Sequence, residues 1–167
     1  NSPPLAVFGG AWADSVTNIG GDKNSNVLQF ITIQTTGDST EFGDLTKRRQ
    51  TDQALSNKTR GCFIGGAHYS SYPTYISTNI IDFITFSSLG DAQDFGDLIR
   101  GDWGSGAAAN NTRGIIAGGQ GGPSPFPRTN VIQFITIATT GNTTNFGDLT
   151  AANSYATAVS SSTRVAI

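Results

Sequence analysis

The chain has 167 residues, enough for one domain with a core of its own. No apolar run approaches the length that crosses a bilayer, and 13% charged residues with a net charge of -2 leave no basic stripe, which argues against membrane insertion and nucleic acid. Methionine is absent, 21 residues are glycine, and no stretch keeps apolar residues at three-four spacing, so short strands and tight turns are expected rather than helices.

Read from the start, an apolar run ends in a glycine pair at Gly9-Gly10. A loop follows, and then Ser25–Leu45 reads SNVLQFITIQTTGDSTEFGDL. A segment of small residues, TDQALSNK, leads into Arg60. The pattern then recurs. Glycine pairs return at Gly65-Gly66 and Gly118-Gly119, and the long phrase returns as TNIIDFITFSSLGDAQDFGDL (78–98) and TNVIQFITIATTGNTTNFGDL (129–149). The period of about 50 residues is that of repeat arrays and propeller blades. Only the segment between glycine pair and Asn changes length: residues 11–25, 67–78 and 120–129.

Each unit reads as four strands. The first is the apolar run into the glycine pair. The second is NVIQFITI, where Val131, Gln133, Ile135 and Ile137 face one way and Ile132, Phe134 and Thr136 the other. Both faces are mostly apolar, so this strand is expected to be covered on both sides. A Gly-Asp or Gly-Asn turn leads into a short third strand through FGDL. The fourth is the small-residue segment before Arg60, Arg113 or Arg164, suited to the crowded innermost place in a blade. The expected fold is all-β: a β-propeller of four-stranded antiparallel blades, three repeats per chain. The domain is 1–167, with units of about 5–60, 61–113 and 114–164. The strand at 154–161 is expected to complete a blade begun at the N-terminus of its own or a neighbouring chain. Three blades are too few for a ring, so the expectation is a homodimer of six blades or part of a longer array.

The order of Arg, apolar run, Gly-Gly, variable loop, aromatic strand and Gly turn resembles the kelch repeat. Phe30, Phe83 and Phe134, with Phe42, Phe95 and Phe146, stand where kelch has Tyr and Trp, and the three Arg have no clean kelch counterpart. The wording FITIATTGNTTNFGDLT is also similar to repeats in tail-fibre and other structural proteins of marine bacteriophages. That resemblance implies a virion or extracellular location. The copper oxidase that shares the kelch fold relies on several His and a Tyr–Cys pairing. With His68 and Cys62 alone of their kinds, the resemblance does not extend to that activity.

Asp44, Asp97 and Asp148 and the three Arg recur in every unit, which marks stacking devices rather than a single active site. Glu41 is the only Glu, no G-x-S-x-G turn occurs, and no EF-hand or RTX spacing is present. No enzyme, cofactor or metal is therefore expected. Arg100-Gly101-Asp102 is an RGD triplet, read as a chance match. The variable loops all leave after the glycine pair, on one face, and hold the candidate ligand-binding residues: Trp12, Asp14, Asn18 and Asp22; His68, Tyr69, Tyr72 and Tyr75; Phe126 and Arg128. The expected function is a structural and adhesive module of a phage tail or extracellular appendage that binds a host cell-surface glycan or protein. A purely structural virion scaffold is the alternative, and a glycoside-hydrolase-type propeller a third.

Overall fold

A computed structural model describes residues 4–12, 24–50, 53–71 and 74–167. In chain order the strands are β1 (Leu5–Gly9), β2 (Val27–Thr32), β3 (Thr40–Asp44), β4 (Gln53–Ser56), β5 (Arg60–Ile64), β6 (Ala67–Ser71), β7 (Thr74–Ser77), β8 (Ile80–Thr85), β9 (Gln93–Asp97), β10 (Gly106–Ala109), β11 (Arg113–Ala117), β12 (Thr129–Thr136), β13 (Thr144–Asn153), β14 (Val159–Ser160) and β15 (Val165–Ala166). All pairings are antiparallel, and no helix occurs among the described residues. The all-β class expected from the sequence is what the chain forms.

Five sheets result: β1-β2-β3, β4-β5-β8-β9, β10-β11-β12-β13 and the two hairpins β6-β7 and β14-β15. None closes on itself. The small-residue strands β4 and β10 pair with the strand that follows each, so each opens a sheet. They also touch one another, so the edge strands of two neighbouring sheets lie side by side. β14 pairs with β15, and among the described residues no strand pairs with the other edge of β1.

The three larger sheets stack face to face. Between the first and second lie Leu28, Phe42 and Leu45 against Phe63, Ile84 and Ala92. Between the second and third lie Ile81, Phe83 and Phe95 against Ile116, Ile135 and Ile137. Burying each of these Leu, Ile and Phe side chains stabilises the fold by about 1.5–3 kcal/mol. The middle strand β8 is therefore apolar on both faces because sheets cover both.

A repeated joint ties the stack together. In all three sheets the strand carrying FGDL has the same register shift, opposite Leu28/Gln29, Ile81/Asp82 and Ile132/Gln133. The Phe of FGDL is the extra residue of this bulge, and the strand bends there. At the first joint, Gly90 N–H donates to the Phe42 carbonyl (2.9 Å) and Ala92 N–H to the Asp44 carbonyl (2.8 Å), while Asp44 N–H donates to Asp91 Oδ1 (3.0 Å). The second joint copies it: Gly141 N–H to Phe95 O (2.7 Å), Thr143 N–H to Asp97 O (2.8 Å), and Asp97 N–H to Asn142 Oδ1 (3.0 Å). The side-chain acceptor is thus the turn Asp or Asn; the FGDL Asp takes part through its backbone.

Two further devices pin neighbouring sheets. Arg60 stacks on Phe83, 4.6 Å from guanidinium carbon to ring centroid, and donates through Nη1 to the carbonyls of Ile137 (3.1 Å) and Ala138 (3.0 Å) in the next sheet. A polar residue in the middle of the second strand reaches back to the sheet before it. Asp82 accepts from Thr46 Oγ1 (2.6 Å) and from Arg49 Nη1 (2.8 Å), with both charged side chains fully buried. Gln133 accepts from Ile99 N–H (3.0 Å) and Thr143 Oγ1 (2.6 Å).

Candidate functional site

The described parts of the variable segments lie together beyond the glycine pairs. The second of them is not an irregular loop but the β6-β7 hairpin, which places Tyr69 directly opposite Tyr75. Opposed residues of an antiparallel pair project on one side, so their rings meet, at 5.0 Å between centroids and 70° between planes. Gln50 and Ala67 form an isolated bridge beside this hairpin, and Tyr75 Oη donates to Gln50 Oε1 at 2.5 Å.

One repeat later, Trp103 stands where Gln50 stood, in the matching bridge to Gln120. Its ring meets Tyr75 at 5.4 Å and 89°, and on its other side it meets Phe126 at 4.9 Å and 65°. In the first repeat Trp12 bridges Asn24 and meets Tyr69 at 6.0 Å and 81°. The outcome is one continuous row, Trp12–Tyr69–Tyr75–Trp103–Phe126, running across the loops of all three repeats. Edge-to-face contacts of this kind add about 0.5–1.5 kcal/mol each beyond burial. Trp12 is exposed at one end, whereas Trp103, between Tyr75 and Phe126, is buried.

Beside the row, a cleft of about 690 Å³ opens between the β6-β7 hairpin and the 120–128 segment, lined by Tyr75, Ile76, Ser77, Pro123 and Phe126 among others. Gly122 N–H donates to Ser77 Oγ (3.0 Å) at its floor. The volume lies in the range of small-molecule sites, and the walls are mostly apolar with a few hydroxyls. The tyrosine and tryptophan rings carry no charge, so row and cleft suit a neutral ligand with apolar faces and hydroxyl edges.

Of the residues expected from the sequence, Trp12, Tyr69, Tyr75 and Phe126 join the row. His68 lies half-buried on β6, paired across the hairpin with Ile76, and Arg128 is exposed, bridged through its backbone to Gln120. Asp14, Asn18, Asp22 and Tyr72 lie outside the described residues. Trp103 was not anticipated. The segment after FGDL also reaches this face, and a second Trp there was the available signal.

The RGD triplet is tied to itself. Arg100 Nε and Nη2 both hold Asp102 Oδ1, at 2.8 and 2.6 Å, and Asp102 is 3% exposed. Burial raises the Asp102 carboxyl above its ordinary 3.8, against the pull of Arg100's hydrogen bond and charge. An acidic group so placed is not offered to a partner. Cys62 lies in the core between the sheets, where burial pushes its thiol up to about 12 against the weaker effect of Arg60. A thiol so rarely ionised is inert.

No family model and no curated protein matches the chain. Among the solved structures, a fungal alcohol oxidase of the AA5 family in complex with copper is similar in fold, with a TM-score of 0.57 and 16% identity over 80% of this chain. The chain spans about 30% of that oxidase, and at this identity the likeness concerns the fold alone.

Proposed function

We propose that this chain is a non-enzymatic, kelch-like propeller module of a phage tail or other extracellular appendage, and that its aromatic row binds a cell-surface glycan. The observation that carries this is the row of five rings, one repeat after another, with a neutral cleft alongside it. Sugar rings present flat C–H faces to aromatic rings and hydroxyls to groups such as Ser77 and Tyr75. A row favours an elongated ligand over a compact one. The propeller reading draws support from the identical joints between successive sheets and from the inner strands β4 and β10 lying against each other. The appendage reading draws on the wording of the repeats.

A second reading has its own support. Each ring already spends an edge or face on its neighbour, and Trp103 is buried, as a purely structural scaffold would have it. A glycan array on the folded protein, followed by titration of any hit, separates the two. Binding that Trp12→Ala and Tyr75→Ala each weaken by about tenfold, roughly 1.4 kcal/mol, supports the glycan reading. Retention of no glycan, or binding indifferent to both substitutions, defeats it in favour of the scaffold.

A further inference from the structure

The joint that binds sheet to sheet has both of its halves exposed at opposite ends of the stack. On the last large sheet, β13 carries the same bulge as β3 and β9, yet Phe146 is 56% exposed where Phe42 is 3% and Phe95 is 2%. A Cβ at Gly43 or Gly96 would strike the turn laid across it, at Gly90 or Gly141, while a Cβ at Gly147 meets nothing within 4 Å. On the first sheet, Ile33 is 61% exposed where its counterpart Ile137 is 0%. The Gly37–Ser39 turn is already set for docking. Ser39 Oγ donates to Gln29 Oε1 at 2.6 Å, just as Thr143 Oγ1 does to Gln133 Oε1 at 2.6 Å in the formed joint.

We propose that two copies of this chain join head to tail through these surfaces, the Phe146–Asp148 edge of each receiving the Gly37–Ser39 turn of the other. The register follows from the internal joints. Gly37 N–H donates to the Phe146 carbonyl and Ser39 N–H to the Asp148 carbonyl, while Asp148 N–H donates to Asp38 Oδ1. Thr150 N–H reaches Gln29 Oε1, repeating Ile99 on Gln133. Arg113, stacked on Phe134 at 4.4 Å, takes the carbonyls of Ile33 and Gln34, as Arg60 takes those of Ile137 and Ala138. An Asp-on-Asp pairing is no obstacle, because Asp44 and Asp91 already make one.

The receiving surface has room for the Ile33 side chain, while β15 holds the place that β1 of the second copy would take. A cleft of about 440 Å³ lined by Ile115, Ile132, Phe146, Val165 and Ile167 lies where Ile33 would seat, as Ile137 seats among Ile81 and Phe95. A second copy is the occupant argued for because this chain itself carries the complementary half. Two copies, rather than three or one, follow from the propeller reading proposed above: six sheets fall within the usual four to eight blades, and three or nine do not. The interface is heterologous and closes by symmetry.

The test is solution mass by sedimentation, for the full chain and for Phe146→Asp and Ile33→Asp, each at an exposed position, with far-UV circular dichroism confirming that each variant folds. The expected result is a particle of twice the 17.4 kDa chain mass. Each variant alone is a monomer, and an equimolar mixture recovers a dimer, because each variant keeps the half that the other has lost. A monomeric full chain overturns the proposal and assigns the surfaces to some other occupant, such as further repeats in one polypeptide. A dimer insensitive to both substitutions also overturns it. Assemblies larger than a dimer that either substitution dissolves uphold the joint and overturn the six-sheet ring.

Discussion

Asp102 sits under the aromatic face with its charge held by one neighbour, Arg100, and with little water. Its carboxyl is raised in the folded chain, first by burial, with Arg100 opposing. Just above 3.8, the folded chain therefore holds a proton that the unfolded chain has released. Stability from this group is full below 3.8 and declines as pH rises through the raised value. Asp102→Asn removes that decline. Urea midpoints at pH 3.5 and pH 7 should show the variant gaining on the wild type as pH rises. A variant that loses ground as pH rises would mean that Arg100, not burial, governs the group. The triplet itself was legible in the sequence as a chance match, but that its Asp folds back on its own Arg is a tertiary fact. Trp103 was passed over for the same reason, since its place in the row depends on a bridge to Gln120, a residue of the next repeat.

At the scale of the element, the strands were readable because alternation is local: Ile81 and Phe83 face one neighbour, and Asp82 and Ile84 the other. The joint was not readable. It is made of backbone groups separated by almost a full repeat, as in Phe42 with Gly90, and the repeated FGDL drew attention to the wrong carboxylate. Its glycines give a clean test. Gly43, Gly96 and Gly147 have φ of 155°, 142° and 149°, a backbone that penalises any side chain by about 1–3 kcal/mol. Alanine at Gly43 or Gly96 adds a collision with the carbonyl of Gly90 or Gly141, and alanine at Gly147 adds none within the chain. Denaturation of dilute, monomeric samples should find Gly43→Ala and Gly96→Ala less stable than Gly147→Ala by about 2 kcal/mol. Equal losses at all three positions would show that the joint yields easily and contributes little.

For the whole molecule, the last hairpin bears on how the two copies proposed above would meet. β14 and β15 repeat β4 and β5, down to the turn bond from Ser161 N–H to the Arg164 carbonyl (2.8 Å), which matches Asn57 to Arg60 (3.0 Å). By that equivalence Val165 stands where Leu5 stands in the first sheet, and Ala166 where Ala6 stands. β15 therefore fills the place that β1 of an incoming copy needs. Docking exchanges the two rungs Val159↔Ala166 and Ser160↔Val165 for pairing of 157–160 with Leu5–Phe8 of the partner copy, on the pattern of β4 with β5. Strand addition of this kind satisfies both open edges at once. The cost of the exchange is the release of residues 165–167. A chain ending at Arg164 has nothing to release, so it should dimerise more tightly than the full chain, read as a lower dimer dissociation constant in sedimentation. Weaker association of the shortened chain would place β15 inside the interface as a permanent strand.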